Sequence, residues 1–282
     1  MLLAQNRRVY TKMPPALSII MPAYNAGPHI KAAICSLLNQ DFQDWELVVL
    51  DDGSTDSTAK VVLALQDKSP NGDKIRYIKK EHRGCVVATD EAIREARAQV
   101  CTVVDADDLS MPGALREIAH CMYEHPDVGF MWTKFVCGHS PSVPGRAGWG
   151  KTTPNNMSLL KAFAKTGWWG GQHQRAFRRE IYLDSPGLDY DILYAVDLQL
   201  AAVMAETQCN TIFLDGVAYW YRRHNSQITG QHRVEQRKDH TRIISRLRAR
   251  FGSEPQLAPS HTIVPWGCAK RVKHKFVAPS HK

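Results

Sequence analysis

Val100-Cys101-Thr102-Val103-Val104-Asp105-Ala106-Asp107-Asp108 is the stretch on which the reading of this chain turns. A run suited to a buried strand ends abruptly in three carboxylates within four residues. Like charges that close repel and call for a counter-charge. Mg²⁺ and Mn²⁺ favour hard oxygen ligands and can be shared with a nucleotide diphosphate, so a divalent cation is the obvious candidate. Taken alone, the same cluster also suits a solvated turn capping the next helix.

Its neighbours repeat the pattern. Leu17-Ser18-Ile19-Ile20-Met21-Pro22 reads as a short buried strand stopped by Pro22 and followed by Ala23-Tyr24-Asn25. Trp45 to Leu50 reads as a second strand running into Asp51-Asp52-Gly53-Ser54, a loop rich in helix-capping residues. Ile75–Ile78 is a third strand and Val100–Val104 a fourth. Helical spacing fills the gaps: Ile30, Ala33, Ile34, Leu37 and Leu38 share one face, and 59–65, 88–98 and 114–124 are further helices. Strand 128–135 follows, then a helix from Leu198 opened by Asp197, and strands at 211–214 and 217–221. The alternation predicts an α/β fold: an open, mostly parallel, twisted sheet flanked by helices. Ligands of such sheets bind beyond the carboxyl ends of the strands, so the three polar loops should gather on one edge.

Composition narrows the class. At 282 residues and 44% hydrophobic, the chain can bury a sizeable core. No apolar stretch approaches the ~20 residues needed to cross a bilayer, and the start is too short in apolar residues for a secretory signal; a soluble, cytoplasmic protein is expected. The seven cysteines are scattered without a C-x-x-C pair, which argues against a zinc site or a disulfide framework. Net charge is +8. Residues 233–250 carry seven Arg or Lys and 270–282 five more without an acid, a basic C-terminal helix and tail able to meet an anionic membrane peripherally. These stretches lack interleaved aromatic residues, which disfavours nucleic acid as a partner. Residues 138–156, rich in Gly, Pro and Ser, suit a long loop over the site.

The segments LSIIMPAYNAGPHIKAAICSLLNQDFQDWELVVLDDGSTDSTAKVV, VVDADDLSMPGAL, QRAFRREIY and AVDLQL together resemble the family 2 glycosyltransferases of GT-A fold. The resemblance implies one domain over 16–232, with a Rossmann-like nucleotide-sugar-binding half at 16–137, an acceptor half at 138–232, and a basic extension at 233–282. It implies sugar transfer from a nucleotide-diphosphate sugar, UDP-linked by preference, to an acceptor hydroxyl of a glycan or lipid-linked glycan. Inversion at the anomeric carbon and a Mn²⁺ or Mg²⁺ cofactor come with it. Carried over position by position, Pro22, Ala23, Tyr24 and Asn25 hold base and ribose, Asp52 meets the base, and Asp105 with Ala106 lies at the ribose. Asp107 and Asp108 hold the metal, Arg223 and His224 reach the diphosphate, and Asp197 is the general base, with Asp189 and Asp191 nearby as substitutes. Trp168 and Trp169, flanked by glycine, are candidate acceptor-stacking residues.

The chain departs from the family pattern in places. Ala88-Thr89-Asp90 stands where many relatives have Ala-Arg-Asn, leaving Arg83 or Arg94 to meet the donor. Val196 stands where a Glu often precedes the base, and Ala98-Gln99 replaces a Gly. Two other classes stay open: a sugar nucleotidyltransferase, disfavoured because no Gly-rich basic loop follows the first strand, and an inactive nucleotide-sugar or nucleic-acid binding protein.

Overall fold

A computed structural model describes residues 13–139, 146–147, 157–167, 173–252 and 259–267. Trp168 and Trp169, most of the 138–156 segment and the basic tail from 268 lie outside the described residues. The first part alternates as its periodicities require: β1 (Leu17–Ala23), α1 (Ile30–Leu38), β2 (Trp45–Asp52), α2 (Thr58–Lys68), β3 (Ile75–Lys80), α3 (Cys85–Glu95), β4 (Val100–Val103), β5 (Leu109–Ser110) and α4 (Ala114–Glu124). Then come β6 (Val128–Gly138), β7 (Arg146–Ala147), α5 (Leu159–Thr166), β8 (Arg175–Arg178), α6 (Arg179–Leu183), α7 (Val196–Glu206), β9 (Asn210–Arg222), α8 (Ile228–Gln231), α9 (Arg233–Phe251) and β10 (His261–Pro265).

The strands form one sheet in the order β10-β9-β6-β8-β4-β1-β2-β3. All neighbours along it are parallel except β8, which runs antiparallel to both β4 and β6. The sheet is therefore mixed but mostly parallel, as expected. Both faces are covered, which is why β2 is buried along its whole length rather than on alternate residues. The pleat sends Leu17, Ile19 and Met21 into the core under α1 and α4, and Ile20 into the core shared with α3, α5, α7 and α9.

Several boundaries differ from the sequence reading. β1 does not stop at Pro22 but runs through it, with Pro22 opposite Leu50. Ile20 accepts from Val104 on the β4 side, and two residues on, Pro22 faces that same side, beyond the β1–β4 ladder that ends at Ile20. Its missing N–H therefore costs no ladder bond. The two strands expected at 211–214 and 217–221 are one strand, β9, whose register against β6 shifts around Thr133–Phe135 to absorb Asp215-Gly216. A Cβ on Gly216 would sit 2.1 Å from the Trp266 ring, so this glycine lets the C-terminal segment lie flat on β9. Helix α3 begins at Cys85 and ends at Glu95, earlier than its apolar pattern suggested.

The basic stretch from 233 forms α9, and its Ile243, Ile244 and Leu247 are buried in the core with α5 and α7. β10, not anticipated, extends the sheet beside β9. There His261 stacks on Trp132 at 5.1 Å and lies 3.0 Å from Thr211 Oγ1. No helix among the described residues is long and apolar enough to cross a membrane.

Leu247→Ala is expected to destabilise the whole domain by about 2–5 kcal/mol, read by urea denaturation; a change under about 0.5 kcal/mol, typical of surface sites, would mean that α9 is an appendage. Burial pushes the His261 pKa down to about 4. Its folded-state value lies below its unfolded one, so its contribution is present above the usual histidine value and is lost as pH falls towards 4. His261→Phe, which keeps the stack, should therefore lose less stability than the parent between pH 7 and 4.5; equal losses would sink this assignment.

Candidate active site

Parallel strands bring their carboxyl ends to one edge, so Ala23, Asp52 and the residues after Val103 meet there. β6 and β9 run the same way, so Tyr219–Arg222 reach that edge too. β8 runs opposite, so its beginning, Arg175 with His173 just before it, arrives at the edge instead. The start of α7, with Asp197, completes the ring.

The loops after β1 and β2 are zipped together. Asn25, in the left-handed region at φ 48°, receives the Thr55 amide on its Oδ1 (2.9 Å) and donates its own amide to Ser54 Oγ (2.9 Å). Ala26 donates to Thr58 Oγ1 (2.8 Å). Gly53, at φ 75°, allows close approach to His82, whose backbone nitrogen would lie 2.8 Å from a Cβ there. Tyr24 is half-exposed and stacks on His82 (4.0 Å, 19°), giving a flat aromatic ledge at the mouth. Asp51 is buried, bonded to Tyr77 and to the Ser54 amide. Asp52 accepts from the amides of Arg83 (2.7 Å) and Gly84 (2.9 Å) where α3 begins, with His82 Nδ1 at 2.8 Å. A carboxylate suits that helix start because the unsatisfied amides there carry partial positive charge.

The acidic segment is folded tightly on itself. Asp108 is fully buried; its Oδ1 receives the Arg222 amide (2.7 Å), and its Oδ2 is buried without a hydrogen-bond partner. Asp105 donates its amide to the Tyr219 hydroxyl (3.0 Å), which donates back to Asp105 Oδ2 (3.2 Å). Burial pushes the Asp105 pKa up to about 6; Arg175 opposes this while Asp107 and Asp197 add to it. Asp108 is held well above the carboxylate range by burial and by Asp107 and Asp105. His173 is sandwiched by Tyr219 (5.2 Å) and Tyr221 (4.5 Å), and burial lowers it to about 3, so it is a neutral imidazole.

Asp105, Asp108 and His173 each offer a ligand atom within 4.8 Å of the others. Two oxygens and a neutral imidazole, with Asp108 Oδ2 and His173 Nδ1 otherwise unsatisfied, fit a Mn²⁺ or Mg²⁺ ion. Of the two expected metal ligands, Asp108 is in this cluster and Asp107 is not; sequence reasoning missed His173. Nothing local marks it: the segment GGQHQRAF gains meaning only once β8 is known to run antiparallel.

Asp107 faces the other way, with His224 Nε2 at 2.9 Å from its Oδ2 and Arg222 donating to its carbonyl (2.7 Å). His29 packs on His224 at 4.4 Å, a neighbour the sequence did not flag. Arg223 bonds through its amide to Gly138, and its side chain is exposed. Of the substitutes for the missing family arginine, Arg94 pairs with Asp90 (2.9 Å) and Arg83 with Glu91 (3.1 Å).

Asp197 lies in the first turn of α7, half-exposed, with Arg175 Nη1 at 3.9 Å. Arg175 is itself buried and lowers the pKa of Asp105, so one guanidinium serves both sides of the site. Cys85, at the start of α3, is the internal reporter of this convergence: burial and the charges of Asp105, Asp52 and Asp197 push its thiol up to about 12. Asp189 and Asp191 are instead engaged by Arg246 (3.6 Å) and Arg242 (3.4 Å).

Comparisons with known proteins identify the family. Residues 18–184, more than half of the chain, match the model of glycosyl transferase family 2. A chondroitin synthase of Escherichia coli is 36% identical over 104 residues, 37% of this chain and 15% of that protein. The E. coli UDP-Glc:alpha-D-GlcNAc-diphosphoundecaprenol beta-1,3-glucosyltransferase WfgD is 32% identical over 131 residues, 46% of this chain and 49% of that protein. The chain thus spans under half the length of these curated relatives. In fold it is similar to S. aureus TarS 1-349 in complex with UDP (TM-score 0.62, 22% identity, 82% of this chain and 64% of that one). It is likewise similar to the mannosyltransferase PcManGT from Pyrobaculum calidifontis in complex with GDP-Man and Mn²⁺ (TM-score 0.63, 22% identity, 86% and 66%). The strand order, the acidic edge and the match over residues 18–184 place this chain in glycosyl transferase family 2.

Proposed function

We propose that this chain is a metal-dependent, inverting glycosyltransferase that moves a sugar from a UDP-sugar to an acceptor hydroxyl of a glycan or lipid-linked glycan. The observation that carries the reading is the gathering of Asp52, Asp105, Asp108, His173 and Asp197 on one sheet edge, with donor-side acids on one flank and a lone carboxylate on the other. Tyr24 on its His82 support offers a stacking surface for the base. Asp105, oriented by Tyr219, faces the donor.

Asp105, Asp108 and His173 would hold the ion. A bound Mn²⁺ or Mg²⁺ supplies positive charge for the departing diphosphate. The exposed Arg223 side chain, and His224 once released from Asp107, would add to it. Asp197 takes the proton of the acceptor hydroxyl as its oxygen bonds to the anomeric carbon. The bond from that carbon to the diphosphate oxygen breaks, and the nucleoside diphosphate leaves with the electron pair. A single attack from the face opposite the leaving group inverts the centre. Arg175, 3.9 Å away, keeps Asp197 oriented.

UDP is preferred because it is named for both WfgD and the TarS complex; GDP, bound by the mannosyltransferase, is the competing nucleotide. WfgD's diphosphoundecaprenol acceptor supports a lipid-linked substrate met at a membrane surface. Arg233, Arg237 and Lys238, exposed at the start of α9, would face that surface.

Asp197→Asn should lower turnover by about 10²–10⁴-fold and leave UDP affinity unchanged; retained turnover removes Asp197 as the base. Mn²⁺ should be needed for UDP to raise the melting temperature, because a ligand of the folded state must stabilise it. In Asp108→Asn the Mn²⁺ needed should rise by at least about 10–100-fold. If Asp108→Asn keeps the parent's Mn²⁺ requirement, Asp108 is not a ligand.

A further inference from the structure

Asp197 is presented by the segment between α6 and α7, and that segment is gripped from both sides. On the α3 side, the Tyr190 hydroxyl donates to the buried carboxylate of Asp90 (2.7 Å), which also accepts from Tyr182 (2.6 Å) and Arg94 (2.9 Å). The Cys85 thiol donates to the Leu193 carbonyl (3.2 Å). On the other side, one oxygen of Asp239, on α9, accepts from two consecutive amides, Leu193 (3.1 Å) and Tyr194 (2.9 Å). Gln236 donates to the Tyr194 carbonyl (3.0 Å), and His232 stacks on the Tyr194 ring (4.3 Å, 14°). Arg242 and Arg246 add pairs to Asp191 and Asp189.

These bonds end three residues before Asp197. Helix α7 has no side-chain cap of its own. Its start is held by the core packing of Ile192, Ala195 and Leu198, by Gln199 on the Asp189 carbonyl (3.0 Å), and by what holds Leu193 and Tyr194, where the charged acceptor is Asp239. A carboxylate accepting two backbone amides forms strong, directional bonds. The same segment leaves Tyr190 and Leu193 43% and 49% exposed.

We propose that Asp239 is a positioning residue for the reaction: through the Leu193–Tyr194 amides, α9 sets where Asp197 stands, so the C-terminal helix completes the acceptor side of the site. This rests on the assignment of Asp197 as the base.

The test uses the full chain, with UDP release from UDP-glucose and UDP-N-acetylglucosamine as the activity and UDP affinity measured separately. Asp239→Ala should lower kcat about 10–100-fold, the scale of a misplacement near 1 Å, with UDP affinity within about twofold of the parent. Asp239→Asn, which keeps an acceptor oxygen, should recover most of that loss. On the Asp197→Asn background, Asp239→Ala should cost nothing further, since the two act as a unit. Cys85 should react faster with iodoacetamide in Asp239→Ala, because its Leu193 partner is released.

A parent-like kcat in Asp239→Ala overturns the proposal, as does an equal loss on the Asp197→Asn background or a parallel fall in UDP affinity. Retained turnover in Asp197→Asn would reject the base assignment and with it the route by which Asp239 acts. Lost turnover in Asp197→Asn with a parent-like kcat in Asp239→Ala would keep the base and reject the positioning role. If neither donor is turned over by the parent, unchanged Cys85 reactivity in Asp239→Ala overturns the grip and increased reactivity upholds it.

Discussion

Crowding of negative charge at the ends of β4 and β9 is the constraint around which the molecule is arranged. Asp105 and Asp108 are drawn into the protein beside Asp107, at a cost that burial makes large. The fold compensates only in part. Tyr219 and the Arg222 amide each satisfy one oxygen, and Arg175 contributes a buried positive charge. Asp108 Oδ2 is left over. An uncompensated buried carboxylate persists where function requires it, and the raised values of Asp105 and Asp108 state the same imbalance in terms of protons. The divalent cation proposed here would offset the same imbalance.

The antiparallel strand β8 is how the sheet delivers that balance. A parallel strand in its position would carry Arg175 and His173 to the opposite edge. Running backwards between β4 and β6, β8 puts a guanidinium beside both Asp105 and Asp197, and an imidazole 3.9 Å from Asp105. The two carboxylates are thereby coupled through one buried residue. Its Nη1 at 3.9 Å from Asp197 leaves that carboxylate half-exposed.

What could be read from sequence follows from where the information lies. β1 to α4 are legible because each element carries its own period: Ile30, Ala33, Ile34 and Leu37 are the buried face of α1, and 114–124 is α4 from end to end. The gathering of Tyr24, Asp52 and Asp105 also followed, since parallel strands share an edge. β8 was illegible because four residues have no resolvable period, and its direction depends on the partners it finds. His173 and Arg175 were missed with it; Tyr219 lay in an expected strand, but only the fold shows its hydroxyl on Asp105. Pro22 misled because the rule against proline in strands concerns bonds it would have to donate, and only the ladder shows that none is due.

The charge of α9 shows the same limit from another direction. In sequence, seven cations in eighteen residues suggested a surface for anions. In the fold, Arg246 and Arg250 hold Glu206, Arg242 holds Asp191, and Arg248 donates to the Ala164 carbonyl. The helix is docked by Ile243, Ile244 and Leu247, and its cations fasten its edges to α5, α7 and the loop before α7. Charge counted along the chain is blind to such spending, because a cation paired across forty residues looks the same as one in water. Arg233, Arg237 and Lys238 are exposed at the start of the helix, beside the Gln236 and Asp239 contacts to Tyr194. Any anionic surface that engages them therefore meets the protein next to the segment that leads into α7.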